Sequence, residues 1–239
     1  MYNEFSIDAV TRRVNKMVSF RNEYENGDLS ALHIRISKGN RKTGFAVPSV
    51  SLIPVADCAH CETCKSGCYD VRNVCYQETV QRSRAINSAI LRKDPARYFD
   101  EIAKAVRGFR FFRWHIGGDL VSRSYFLRVV EIAENTPKCD FLIFTKLYGV
   151  VNRFIDEGGN IPENLHIVFS DWRGEKMPNP HKIPVSSPVW FDKEGNELER
   201  GKNTTAKFYW CPGLCEECAE NGSGCFGLKR GETILFKAH

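Results

Sequence analysis

Eight of the ten cysteines in this sequence fall into two clusters whose spacing is typical of metal sites. Thiolates are soft ligands that select zinc, copper and iron–sulfur clusters, and core packing does not explain four of them in one short segment. The sequence has no secretory signal, so we expect a reducing compartment, in which disulfides are rare. It therefore predicts two metal centres, with the ligands Cys58, Cys61, Cys64 and Cys68 in the first and Cys211, Cys215, Cys218 and Cys225 in the second.

The first cluster, residues 58–68, is a compact loop. Structural zinc usually binds two cysteine pairs separated by a longer stretch, whereas one short loop can wrap an iron–sulfur cluster. The spacing therefore favours a 4Fe–4S cluster. If three of the four thiols bind, one iron keeps an open position for a substrate or cofactor. If Cys61 is a fourth ligand, the cluster is closed.

The second cluster, residues 211–225, has the spacing C-x3-C-x2-C-x6-C and is rich in turn-forming residues. Its place after the predicted strands argues against a catalytic loop. A structural zinc site and an auxiliary iron–sulfur cluster are the two interpretations, and we favour the second because the first loop already predicts iron–sulfur. We interpret Cys75 and Cys139, which lie outside both clusters, as buried thiols, with Cys75 a candidate extra ligand.

Predicted helices and strands alternate between the two clusters. Residues 76–93 favour a helix, and Asp94-Pro95 supplies a cap and a first-turn proline for a second helix that ends before Gly108. Helical stripes separate three apolar runs that predict strands, at residues 109–114, 141–144 and 166–169. Such strands are typical of a parallel sheet that is covered on both faces or closed into a barrel. We therefore predict an α/β fold, a partial (β/α) barrel of mostly parallel strands with a C-terminal cysteine-rich metal knuckle.

Three segments are predicted along the chain. Residues 1–45 form an N-terminal extension that packs on the core, residues 46–195 form the barrel-like core, and residues 196–239 form the C-terminal metal-binding segment. The extension begins with polar, weakly periodic sequence, and the alternating pattern of residues 32–36 predicts a strand.

Polar residues follow the predicted strands at their carboxyl ends, where parallel folds place their chemistry. Gly117-Gly118-Asp119 predicts either a tight turn with a helix cap, or glycines that admit a ligand to the backbone beside a carboxylate for an ammonium group. Lys146 is interpreted either as a cation that holds a carboxylate or phosphate in the barrel mouth, or as a solvated loop lysine. We interpret His115 as a core histidine rather than a ligand. The sequence leaves open whether Arg82 and Asn87 face the site.

A cysteine loop after a strand, followed by a helix, a second strand and Gly117-Gly118-Asp119, resembles the radical S-adenosylmethionine superfamily, whose core is a partial or full (β/α) barrel. A closer resemblance, over about residues 35 to 226, is to a phage-borne family of unassigned activity, the gene product 88 type. Its motifs are matched by Gly39-Asn40-Arg41-Lys42-Thr43-Gly44, Cys64-x3-Cys68-Tyr69, Arg113-Trp114-His115-Ile116-Gly117-Gly118-Asp119 and Thr145-Lys146.

The resemblance to the radical superfamily implies roles for two sets of residues. Cys58, Cys64 and Cys68 would hold the iron–sulfur cluster, and Gly117, Gly118 and Asp119 would meet the amino group of S-adenosylmethionine. The superfamily's usual spacing is C-x3-C-x2-C with an aromatic residue before the last cysteine. This loop departs from it, with C-x2-C-x2-C-x3-C and Tyr69 after the last cysteine.

The leading functional hypothesis is an iron–sulfur enzyme of the radical S-adenosylmethionine type. It implies one or two 4Fe–4S clusters, S-adenosylmethionine, and an external electron donor, with zinc as the alternative at the second cluster. No catalytic residue is assigned, and nucleic acid is the first candidate substrate. The alternative, from a different class, is a non-catalytic zinc or iron–sulfur protein that binds DNA or RNA.

The net charge of +5 is concentrated in the first half of the chain, where residues 1–120 hold 19 Lys and Arg against 13 Asp and Glu. Residues 121–239 hold 15 against 16. This surplus is compatible with a phosphate-bearing partner and also with an ordinary solvated face. No stretch approaches the roughly 18 apolar residues of a membrane helix. We therefore expect no membrane partner and a cytoplasmic location, in a bacterial host if the gene is carried by a phage.

Overall fold

A nine-stranded sheet forms the centre of the protein, in a computed structural model that describes residues 7–39, 43–58, 68, 70–71, 77–172 and 176–238. The strand order is β1-β2-β3-β4-β5-β6-β9-β8, and β7 pairs with β6 outside this path. The strands are β1 Ile36–Ser37, β2 Ser49–Val50, β3 Phe111–Trp114, β4 Asp140–Thr145, β5 Leu165–Ser170, β6 Val185–Phe191, β7 Glu197–Arg200, β8 Lys207–Trp210 and β9 Glu232–Lys237.

Most of the strand pairs are parallel. The pairs from β2 through β6 are parallel, as are β6 with β9 and β9 with β8, whereas β1 and β7 pair antiparallel with their neighbours. The predicted α/β fold with a mostly parallel sheet is confirmed. Within the described ranges β1 and β8 are the two edges of the sheet and do not pair with each other. Closure into a barrel is therefore not confirmed.

Helices connect the parallel strands, and local sequence signals explain where two of them begin. The Asp94 carboxylate accepts a hydrogen bond from the Arg97 N–H at 3.0 Å, and the Ser122 hydroxyl accepts one from the Tyr125 N–H at 3.2 Å. The helices are α1 Ile7–Asn26, α2 Glu78–Lys93, α3 Pro95–Val106, α4 Arg123–Glu134, α5 Tyr148–Asp156, α6 Cys215–Glu220 and α7 Gly224–Gly227. None of the described helices combines the length and the apolar character that spanning a bilayer requires.

The central strands β3, β4 and β5 are largely buried on both faces of the sheet. Phe112 and Trp114 of β3 pack with side chains of the connecting helices, such as Phe126 of α4, in the largest core. Successive side chains of a strand point to opposite faces of the sheet. Phe111 therefore lies on the other face, where it packs with Cys218, Ala219 and Phe226 in a smaller core. The segment of the second cysteine cluster therefore covers the face of the sheet that the connecting helices leave open.

The N-terminal region differs from the prediction. Residues 7–26 form α1, because Val10, Val14 and Met17 recur at helical spacing and pack on α2 and Ile53. The predicted strand over residues 32–36 is wrong except at Ile36, which begins the two-residue strand β1. Leu32 and Ile34 instead pack at the margin of the largest core without joining the sheet. Strands β6 to β9 were not predicted at all.

Candidate functional site

The first cysteine cluster begins just beyond the carboxyl end of β2, after a strained turn. Val55 has a φ of +69°, a left-handed conformation that is rare for a β-branched residue and typically costs about 1–3 kcal/mol. In this conformation the Val55 N–H donates to Cys58 Sγ at 3.2 Å. The Asp57 carboxylate fixes the same turn by accepting the Ile53 N–H at 2.8 Å. The turn thus directs a backbone donor at the first thiol of the loop.

Cys58 and Cys68, at opposite ends of the loop, lie within electrostatic range of each other or of residues at the strand ends. Burial raises the pKa of the Cys58 thiol well above its usual range, and the charges of Asp119 and Cys68 raise it further. Burial also raises the pKa of Cys68. The positive charge of Lys146 acts in the opposite direction and lowers the pKa of both thiols. The fold therefore brings together two of the four predicted ligands with Asp119 and Lys146.

Backbone donors surround the second of these thiols as well. Hydrogen bonds from the N–H groups of Val71 and Asp70 to the sulfur favour its charged form and so oppose the effect of burial on the pKa of Cys68. Hydrogen bonds to sulfur are one of the means by which proteins tune thiolate-bound metals. Two predicted ligands, Cys61 and Cys64, lie outside the described residues, as do Cys75 and Tyr69.

The glycines that follow β3 make close backbone contacts. The Gly117 carbonyl accepts the Leu52 N–H at 3.0 Å, and the Gly117 N–H donates to Ser51 Oγ at 3.2 Å. A Cβ atom at position 117 would collide with the side chains of Arg84 and Asp70, and Gly118 has a φ of +90°. The interpretation of this segment as a tight turn therefore has direct structural support, and a role in ligand binding stays a prediction.

A buried ion pair, which the sequence did not reveal, supports this turn. Arg84 and Asp70 form two hydrogen bonds, one of them 2.9 Å from Nη2 to Oδ1, and both residues are more than nine-tenths buried. Asp70 lies two residues after Cys68, and Arg84 lies on the buried face of α2. The pair links the end of the cysteine loop to Gly117. Its only sequence signal was an arginine among the apolar residues of α2.

Arg82 and Asn87 of α2, which the sequence left as candidates to face the site, make contacts that stabilise the fold. Arg82 is partly exposed, donates to Glu78 at 2.8 Å and lies 4.0 Å from the centroid of the Phe20 ring. Asn87 is buried, and its amide joins the backbone of Arg35 to the Ser51 carbonyl, at 2.9 and 3.0 Å from Nδ2. Neither contact points to the thiols.

Asp119 connects the ends of β3 and β4. Its carboxylate accepts the Leu120 N–H at 2.6 Å and the Lys146 N–H at 2.8 Å, and it also bonds the Thr145 hydroxyl. Burial raises the pKa of Asp119, and these hydrogen bonds oppose that rise. Asp119 therefore fixes the backbone of Lys146 in addition to facing Cys58.

The Lys146 side chain reaches across to the next strand. Its Nζ donates to Ser170 Oγ at 3.2 Å and lies 5.7 Å from the centroid of the Trp172 ring. Trp172 in turn contacts Trp190, with ring centroids 6.2 Å apart. Lys146 is therefore a partly buried cation at the strand ends, which argues against a fully solvated loop lysine.

His115 is a core residue, as predicted, but an unusual one. Its φ is +53°, it is 3% exposed, and its ring packs against Tyr125 with centroids 5.5 Å apart. Neither ring nitrogen has a hydrogen-bond partner in the described part of the chain. Burial lowers the pKa of His115 to about 3, so the ring is neutral at physiological pH. Strain and missing partners of this kind concentrate at functional sites.

The second cysteine cluster lies between β8 and β9, with Cys211 just after β8 and the other three cysteines in α6 and α7. Its four thiols line one cavity of about 20 Å³ together with Leu142 and Ile234. Burial raises the pKa of Cys225, the charges of Cys211 and Cys215 raise it further, and Arg113 opposes them. Gly224 has a φ of +50°, and a Cβ atom at this position would lie only 2.5 Å from Cys218 Sγ. The fold therefore places the four predicted ligands of this cluster around one cavity.

The described side chains do not by themselves define a metal site. Within the ranges that the structure describes, no three Cys, His, Asp or Glu side chains are arranged so that they could hold a metal ion as they stand. Metal binding at either cluster, and the metal-tied character of the C-terminal knuckle, therefore stay predictions.

Fold and site together define an α/β protein with a mostly parallel sheet and a cysteine loop at the carboxyl ends of its strands. The chain belongs to the Gene product 88 family, whose sequence model matches residues 12–198. This confirms the expected resemblance to that phage family, although the match begins earlier than predicted and ends before the second cluster. No curated protein and no solved structure matches the chain. Membership of the radical S-adenosylmethionine superfamily stays a prediction.

Proposed function

We propose that this protein is an iron–sulfur enzyme of the radical S-adenosylmethionine type, with the sheet acting as a partial (β/α) barrel. One observation carries the proposal. Two half-buried thiols from opposite ends of the first cysteine loop feel the charge of Lys146, and one of them also feels that of Asp119, at the carboxyl ends of parallel strands. This is the edge at which parallel α/β folds place their chemistry.

The donor set fits a thiolate-bound cluster. Burial disfavours thiolate charge at Cys58 and Cys68, while N–H groups from Val55, Asp70 and Val71 favour it. A soft metal resolves this conflict, because it replaces the thiol protons and neutralises the sulfur charge. Cys58, Cys68 and either or both of the other two loop cysteines would hold the group. An iron–sulfur cluster supplies one-electron chemistry when it is bound.

The neighbouring residues would position S-adenosylmethionine. We assign its amino group to the Gly117–Asp119 segment and its carboxylate to Lys146, the partly buried cation nearest the thiols. Asp119 would hold the Lys146 backbone in place through the hydrogen bond described above. The reaction would take one electron from an external donor and yield methionine, deoxyadenosine and a substrate radical after loss of a hydrogen atom. Nucleic acid is the substrate class that we consider first.

The second cluster would be a structural metal knuckle. Four thiolates from one short segment are a usual ligand set of a structural zinc ion, so we favour a single zinc ion over an auxiliary iron–sulfur cluster. Zinc bound by four thiolates carries a net negative charge, and Arg113 is the nearby cation that would offset it. This reverses the preference that the sequence favoured, and it makes the two centres different in kind.

The test is metal analysis combined with an activity assay. The chain is purified without oxygen, its iron, sulfide and zinc are measured, and deoxyadenosine formation from S-adenosylmethionine is followed under a reductant. We expect iron, sulfide, zinc and cleavage in the unmodified protein. Cys58→Ala and Cys68→Ala should lose iron and cleavage but keep zinc. Cys139→Ala, which removes a buried thiol outside both clusters, is the matched control and should keep all four.

Two outcomes would contradict the proposal. Zinc at both centres without cleavage would exclude the enzyme and support a non-catalytic zinc protein that binds nucleic acid. A Cys58→Ala protein that keeps its full iron content would instead refute the assignment of Cys58 as a ligand.

A further inference from the structure

Strand β8, at one edge of the sheet, exposes large aromatic side chains. Phe208 is 41% exposed and Trp210 is 49% exposed, and all four residues of β8 have exposed side chains. The structure describes no strand on the outer side of β8. Contiguous exposed apolar side chains commonly mark an interaction surface.

We call the surface formed by Phe208, Trp210 and Phe191 the aromatic face. The rings of Trp210 and Phe191 have centroids 6.0 Å apart. Phe208 lies two residues from Trp210 on the same strand, so both side chains project to the same side of the sheet. Trp210 is the most exposed of these rings and the one most accessible to a planar ligand.

Cationic side chains lie over these rings. The Arg200 guanidinium carbon is 4.8 Å from the centroid of the Phe208 ring, and Lys237 Nζ is 5.4 Å from that of Phe191. Such cation–π pairs hold the positive groups over the faces of the rings. The result is an alternation of flat apolar surface and positive charge.

The acidic residues nearby decide how much of this charge is available. Glu197 accepts two hydrogen bonds from Arg200, at 2.8 and 2.7 Å, and Glu232 pairs with Lys207 on the neighbouring strand. Within the described residues Lys237 has no carboxylate at ion-pair distance. Lys237 is therefore the cation of the aromatic face that is most available to a phosphate.

We propose that the aromatic face binds single-stranded nucleic acid. Unpaired bases present flat surfaces that stack on exposed aromatic side chains, and their phosphates suit Arg200 and Lys237. A duplex keeps its bases stacked inside and cannot offer them to a sheet surface. The proposal needs no metal chemistry, and it gives the nucleic-acid partner a location separate from both cysteine clusters.

Fluorescence anisotropy with a labelled oligothymidylate of about 12 nucleotides, a length that spans one such surface, tests the proposal on the full chain. We expect saturable binding that Trp210→Ala weakens at least about tenfold, because one stacked base is lost. Trp210→Phe, which keeps a ring, should retain most of the affinity. Leu127→Ala on α4, where Leu127 is 39% exposed, is the matched control and should bind as the unmodified protein does.

Salt dependence provides a second measurement. The slope of log affinity against log salt should be about −1, since one to two phosphates are contacted, and Lys237→Ala should make it shallower. Equal affinity of Trp210→Ala and the unmodified chain would overturn the proposal, as would equal binding of a duplex of the same length. Self-association that Trp210→Ala abolishes would show instead that the aromatic face joins two copies. Because iron, zinc and cleavage are not read in this assay, its failure leaves the proposed enzyme activity unaffected.

Discussion

The two cysteine clusters contain four cysteines each but differ in the residues that surround the thiols. The first lies at the carboxyl ends of the strands, where Asp119 and Lys146 accompany its thiols and backbone N–H groups point at the sulfurs. The second faces an apolar cavity against the sheet, lined by Leu142 and Ile234. Four cysteines in a short segment therefore do not define a role. The charged and polar groups around them separate a centre suited to chemistry from one suited to holding the fold.

The largest expected difference concerns stability. Cys218→Ala removes a buried thiol from the smaller core and a ligand of the proposed zinc, so we expect the free energy of unfolding to fall by about 4 kcal/mol or more. Cys58→Ala, at the half-buried first cluster, should lower it by less than about 1 kcal/mol. Urea denaturation of both variants measures this. Equal losses would remove the distinction between a structural and a catalytic centre.

The support beneath the first cluster gives the next effect. Asp70→Asn removes the charged partner of the buried Arg84 guanidinium, which should lower the free energy of unfolding by about 3 kcal/mol. Asp100→Asn, which breaks a 3.6 Å pair between Arg128 and a 62% exposed carboxylate, is the control and should change it by under about 1 kcal/mol. A mild effect of Asp70→Asn in chemical denaturation would show that the loop does not depend on this pair.

Lys146 tests whether the first centre recognises a ligand. Lys146→Met keeps the length of the side chain but removes its charge, so we expect binding of S-adenosylmethionine to weaken about thirtyfold, or roughly 2 kcal/mol. Isothermal titration calorimetry of the iron-loaded protein measures this. Lys104→Met on the exposed side of α3 is the control. Unchanged affinity in Lys146→Met would leave Lys146 as a structural residue.

A glycine pair probes the tightness of the second centre. Gly222 and Gly224 both have positive φ values, +57° and +50°, but only a Cβ at position 224 would meet Cys218 Sγ. Both Ala variants should lose about 1 kcal/mol from backbone strain, and Gly224→Ala should lose about 1 kcal/mol more together with part of its zinc. Thermal unfolding with zinc analysis compares them. Identical behaviour would mean that the thiol moves aside freely.

The smallest effect is a pH dependence that arises at His115. Its pKa of about 3 in the folded protein lies below the ordinary value, so the unfolded chain binds a proton that the folded chain excludes. Stability should therefore be full above about pH 6.5 and decline as the pH falls, by about 1 kcal/mol near pH 5.5. His115→Asn tolerates the left-handed backbone and does not titrate, so it should flatten this decline. An unchanged pH profile in the variant would assign the decline to other groups.

Local signals in the sequence predicted the part of the fold between the clusters. Asp94-Pro95 and Ser122 mark helix starts through contacts within a few residues, and the apolar runs of β3 to β5 lie within single strands. Strand β6 was missed because Pro188 and its serines interrupt the apolar pattern. Helix α1 was missed because charged residues surround its narrow apolar stripe.

The candidate site was predictable only as far as residue type and strand position allow. Asp119 and Lys146 were identified because they follow predicted strands, and the structure places them beside the thiols. The Arg84–Asp70 pair joins residues that no local pattern relates, and the backbone conformations of Val55 and His115 depend on surrounding packing. These features require the assembled sheet and could not be inferred from spacing.

The position of β9 between β6 and β8 has a consequence for synthesis. Among the described strands β8 pairs with β9 alone, and β9 follows it in the chain after the whole second cluster. During synthesis on the ribosome, β8 therefore emerges before its partner strand. Its aromatic residues, Phe208, Tyr209 and Trp210, stay unpaired until residues 232–237 have been made. During that interval the nascent chain exposes an unpaired aromatic strand, which is the period in which aggregation or capture by a chaperone would compete with folding.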